Sequence, residues 1–92
     1  MITDNQTLNE LYSYVSDLVD VEIIIQELYA NNIESFNRIT KNVIEQERFG
    51  SIQKEVLEKQ TRNIIFHIIK KRLPEYEYQF LLKQYAKEIV KN

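Results

Sequence analysis

Apolar residues recur along this chain at spacings of three and four, the period of an α-helix. Leu8, Leu11, Tyr12, Val15, Leu18 and Val19 form the first such stripe. Thr7 and Glu10 have capping-box spacing, which predicts a helix opening at Thr7. Acids near its start would suit the positive end of the helix dipole. After Asp20 the stripe moves. Ile24, Ile25 and Leu28 fall opposite it on a continuous helix, at about 100° per residue. Either the chain breaks near Asp20 or one long helix packs against neighbours on two sides.

Asn31-Asn32 marks the next boundary, because Asn tolerates the left-handed conformation that ends helices and also caps the next one. Asn31 with Glu34 repeats the capping spacing. Ile33, Phe36, Ile39 or Thr40, Val43 and Ile44 then line an amphipathic helix that Gly50 should stop, with Ser51 able to cap its successor. That successor is predicted from about Ile52 to Arg72. Leu57, Ile64, Ile65 and Ile68 define its buried arc, and Phe66 lies on the far side with Lys59 and Lys70. Leu73-Pro74 ends it, since a residue before proline avoids helical angles. In the last segment Tyr78, Leu81, Leu82, Tyr85, Ala86 and Ile89 keep helical spacing. Glu75 and Glu77 stand at its start and Lys83, Lys87 and Lys91 toward its end, as the dipole prefers.

No segment alternates with period two, and the chain holds one Gly and one Pro. Turn-rich β folds need many more such breakers. The pattern predicts an all-α fold: one helical domain over residues 1–92, an antiparallel four-helix bundle, or five short helices if Asp20 is a true break.

Charge changes the picture. Asp4, Glu10, Asp17, Asp20, Glu22, Glu27 and Glu34 fall within the first 37 positions, with no basic residue among them. Lys59 to Pro74 reverses this, carrying Lys59, Arg62, Lys70, Lys71 and Arg72 and no carboxylate. A formal net charge of −2 hides a bipolar chain, and such asymmetry bears on partners rather than on fold. Lys70, Lys71 and Arg72 are the candidates for contact with nucleic-acid phosphates. The same run also occupies a helix C-terminus, where cations are stabilised, and an acidic first helix packed nearby would offset it.

There is no cysteine, which removes disulfides and thiolate metal sites and fits a reducing compartment. With His67 the only histidine, no Glu-x-x-His or His-x-x-x-His ligand pair exists. Neither a metal nor another cofactor is expected, and no small-molecule substrate is evident. No wholly apolar run exceeds three residues, whereas a membrane span needs about 20. The N-terminus lacks the basic and apolar regions of a secretory signal. A cytoplasmic protein is expected. Chains rich in Ile, Asn, Lys and Tyr are common among phage and mobile-element proteins, an association without mechanism.

Arg62-Asn63-Ile64-Ile65-Phe66-His67 resembles the signature of HEPN-type RNA-cleaving domains: arginine, a polar residue, three further residues, then histidine. Those domains are small helical bundles that usually dimerise. The resemblance implies metal-independent RNA cleavage. Arg62 would stabilise phosphate charge, His67 would serve as the acid–base group and Asn63 would orient them. On a regular helix Arg62 and His67 point about 140° apart, so one chain would not join them without distortion, and a dimer could supply the missing partners.

Six tyrosines complete the set of candidates: Tyr12, Tyr14, Tyr29, Tyr76, Tyr78 and Tyr85. Tyrosine packs an apolar ring while keeping a wet hydroxyl, which suits interfaces. Tyr14, Tyr76 and Phe80 lie off the main stripes of their helices and, with Phe66, leave apolar surface beyond what one small core needs. The function these features favour is a non-enzymatic interaction or regulatory module. It would dock a helical face onto a protein partner, or onto itself as a homodimer, through Lys59, Arg62, Phe66 and Lys70. HEPN-like cleavage and nucleic-acid binding without catalysis are the alternatives.

Overall fold

Helix-ending chemistry divides the chain. The computed structural model describes residues 5–45, 49 and 52–91. Among them stand five helices and no strand: α1 (Asn5–Leu18), α2 (Val21–Tyr29), α3 (Ile33–Ile44), α4 (Lys54–Arg72) and α5 (Glu75–Lys91).

The break at Asp20 is real. Asp20 takes an extended conformation (φ −83°, ψ 101°), and its carboxylate accepts from the backbone N–H groups of Glu22 at 3.1 Å and Ile23 at 3.4 Å. It therefore caps α2. At the far end Asn31 sits at φ 59°. Its N–H donates to the Leu28 carbonyl, and that of Asn32 donates to the Glu27 carbonyl, the paired bonds of a Schellman motif. Asn32 then turns around and caps α3 through Ser35 N–H at 3.2 Å. The two asparagines divide the roles, so the cap pair is Asn32–Ser35 and not Asn31–Glu34.

Other boundaries differ from expectation. α1 starts at Asn5 rather than Thr7, so Glu10 falls outside its first turn and no acid occupies that turn. α3 closes at Ile44, well before Gly50. The stop expected at Gly50 and the cap expected at Ser51 lie outside the described residues. α4 begins at Lys54 after Gln53, whose side chain makes no cap. Leu73, extended before Pro74, ends α4, and the Pro74 carbonyl accepts from Tyr78 N–H at 3.0 Å to start α5.

α4 is the hub: it packs against each of the other four helices. The core draws on all five, with Leu11 and Val15 from α1, Ile24 and Leu28 from α2, Phe36 and Val43 from α3, Leu57, Ile65 and Ile69 from α4, and Leu81 from α5. A helix with neighbours on several sides buries a wider arc than one stripe, and here the arc reaches about 200°. It takes in Thr61, Ile69 and Phe66 as well as Leu57, Ile64 and Ile65, while Ile68 is half-buried.

That arc corrects the expectation for Phe66. Its ring is 7% exposed and meets Phe36 of α3 at 5.5 Å and Tyr85 of α5 at 5.3 Å, while Phe36 and Tyr85 stand 4.9 Å apart. Three helices close on one aromatic triad, each pair adding about 0.5–1.5 kcal/mol beyond area burial. Phe66 is buried at the edge of this arc because α5 packs against that side of α4.

Candidate interaction surface

With Phe66 inside, the four residues expected to form a docking patch do not form one. Lys59 and Lys70 are exposed and Arg62 is half-buried, and helical spacing puts all three on the same side of α4 as the hidden ring. Arg62 bonds to Glu58 one turn earlier at 2.6 Å. Lys70 lies 5.8 Å from the centre of the Tyr78 ring of α5. The Phe66 ring on that side is buried, and no partner can reach it without opening the bundle.

The basic run is dispersed by its own helix. Successive residues of α4 point about 100° apart, and each cation has found a different neighbour. Lys70 turns to Tyr78, Lys71 to Tyr12 of α1 at 5.9 Å, and Arg72 pairs with Glu22 of α2. The acidic and basic segments therefore meet at Glu22–Arg72. The three cations do not share one face on which to track a phosphate backbone.

The Arg62–His67 pair is likewise kept apart. Arg62 turns toward Glu58 and the Tyr85 phenol, whereas exposed His67 stands edge-on to Tyr12 at 6.2 Å on the α1 side. Asn63 is exposed between them. One chain does not assemble the group that the HEPN-like string implies. Among the described residues no cluster of His, Asp or Glu converges to hold a metal ion.

What the molecule does expose is aromatic. Tyr76 is 74% exposed, Phe80 55% and Tyr29 44%. Tyr29, at the end of α2, stacks on Phe80 with ring centres 6.4 Å apart and planes 24° from parallel. The Tyr29 hydroxyl ionises above its ordinary range, through lost hydration first and then the hydrogen-bonded carboxylate of Glu77. Tyr76 stands one turn before Phe80 on the same face of α5. That face continues into Lys83 and Lys87, also exposed, at spacings of i, i+4, i+7 and i+11. Leu81 and Tyr85, on the opposite side, are buried. Among the described residues neither lysine has an ion-pair partner.

Sequence reasoning marked Tyr76 and Phe80 as off the main stripe but missed their union with Tyr29, which required knowing that α2 packs beside α5. It read Lys83 and Lys87 only as dipole partners, although their spacing from Tyr76 already placed them on the aromatic face. It also misjudged Tyr14, which is half-buried against Phe49 with ring centres 5.6 Å apart. A second apolar area flanks the Asp20 break, where Leu18 is 50% and Ile23 48% exposed, on either side of a small hollow that also meets Ile39. It carries no aromatic ring. No protein-family model, curated protein or solved structure matches this chain.

Proposed function

We propose that this protein is a small binding module that docks the outer face of α5 onto a protein partner and performs no chemistry of its own. The observation that carries this reading is the exposed Tyr29–Phe80 stack, with exposed Tyr76 one turn before Phe80 on the same face of α5. Large rings with low side-chain entropy are the residues that dominate protein interfaces. Here three of them adjoin on the surface, although the core is already supplied with Phe36, Phe66 and Tyr85. The helix beneath is held by Leu81 and Tyr85, so the rings are presented on a fixed element. Lys83 and Lys87 extend the face with two exposed cations, which favours an acidic or aromatic counterpart.

A photoreactive benzoyl-phenylalanine in place of Phe80, expressed in the source cell, tests this. Position 80 should give discrete crosslinked protein bands that vanish when Tyr76→Ala is added. The same probe at exposed Asn9 of α1 or Lys59 of α4 should give none of them. Crosslinking at position 80 no stronger than at those controls would overturn the reading.

A further inference from the structure

The order of residues on the outer face of α5 names its occupant. Tyr76, Phe80, Lys83 and Lys87 read aromatic, aromatic, cation, cation. Tyr76 and Lys87 are equidistant from the midpoint between Leu81 and Leu82, and so are Phe80 and Lys83. Reversing the helix about that midpoint exchanges each ring with a lysine. A two-fold interface requires a patch that is its own complement, and this face meets that condition along about 16 Å of helix.

We infer that the partner is a second copy of this chain, paired α5 against α5 in antiparallel register about a two-fold axis at the level of Leu81 and Leu82. This rests on the docking reading above and specifies it. Each Lys83 would lie over a Phe80 ring across the axis and each Lys87 over a Tyr76 ring, a cation–π contact repeated four times. Antiparallel helices also set opposite dipole ends side by side, which brings the acidic first turn of Glu75 and Glu77 toward the lysine-bearing end of the other copy. Tyr29 sits at the rim and widens the patch. One helix face with a rim is smaller than the standard interface of about 800 Å² per partner. The pairing is therefore reversible and dilution dissociates it.

The chain contains no cysteine, so a single introduced thiol reports the register. Lys83→Cys gives up the Phe80 contact but keeps that of Lys87 and lies close to its own copy across the proposed axis, so mild oxidation at high protein concentration should trap the weakened pair as a disulfide-linked dimer where Asn9→Cys stays monomeric. Molar mass measured across a dilution series should pass from dimer to monomer. Phe80→Ala and Lys83→Glu should each weaken that dimer at least tenfold, with helical circular dichroism unchanged. A monomer at every concentration overturns the inference, as does a dimer indifferent to both substitutions. If the chain proves monomeric while the probe at position 80 still captures a protein of different mass, the self-pairing fails and the docking reading stands. If position 80 captures nothing, both fail.

Discussion

Phe66 and Phe80 show at the residue scale how place, not type, sets the consequence of a substitution. Phe66 is wedged between Phe36 and Tyr85. Phe66→Ala removes a core ring and leaves a cavity, and should cost about 3–5 kcal/mol. In a chain this small that is a large share of total stability. Phe80→Ala should stay within about 0.5 kcal/mol. Urea denaturation of the two variants separates the roles. Thr61 makes the opposite case: it is fully buried in α4 and its hydroxyl has no hydrogen-bond partner among the described residues. Thr61→Val keeps the shape and removes the orphaned polar group, so it should stabilise by about 1 kcal/mol, read as a higher urea midpoint at unchanged slope. Tyr85 contributes to the alkaline side of stability. Burial raises its ionisation above the ordinary value, the Arg62 charge opposes this and the Glu58 charge adds to it. Tyrosine in the unfolded chain ionises first, near pH 10. Its contribution is thus whole below that pH and is lost as pH climbs toward the folded value. Tyr85→Phe should flatten the fall in urea midpoint above pH 10.

At the scale of elements, the periodicity of the chain was enough to place the helices, because stripe and cap are local properties. The shift of stripe after Val19 marked a boundary, and the structure puts Asp20 there as the cap of α2. Asp20→Ala should therefore cost about 1 kcal/mol, and amide exchange in the first turn of α2 should quicken before that of α4. What periodicity could not supply was the number of neighbours each helix would meet. Leu18 kept the spacing of the first stripe yet is half exposed, because α1 ends there and the chain turns away. Phe66 left its stripe yet is buried, because a fourth neighbour arrived from α5. Both misreadings treat a helix as having one inner side. The exposed stack was only partly legible for the same reason: Tyr76 and Phe80 share α5, whereas Tyr29 joins them through tertiary packing alone.

Across the whole molecule, the contrast between an acidic N-terminal third and a basic α4 invites the idea that opposite charges hold the bundle together. The geometry argues otherwise. The ion pair that joins the two segments among the described residues, Glu22–Arg72, has side chains 62% and 51% exposed. Water and salt screen such a pair, and holding two long side chains in one arrangement costs entropy, so its net worth is about 0–1 kcal/mol. The cations nearest to it spread over tyrosine rings on other sides of α4. Stability comes instead from the aromatic triad and the aliphatic core that all five helices share. Glu22→Gln and Arg72→Gln should each change the urea midpoint little, and the unmodified chain should melt at nearly the same temperature in low and high salt. Self-association should behave differently, because Lys83 and Lys87 act at an interface that excludes water as it closes, where a cation over a ring is worth more than on an open surface. Fold stability that ignores salt beside a dimer that weakens on Lys83→Glu would separate the two uses of charge. A melting temperature falling steeply with salt would show that the bipolar pattern belongs to the fold after all.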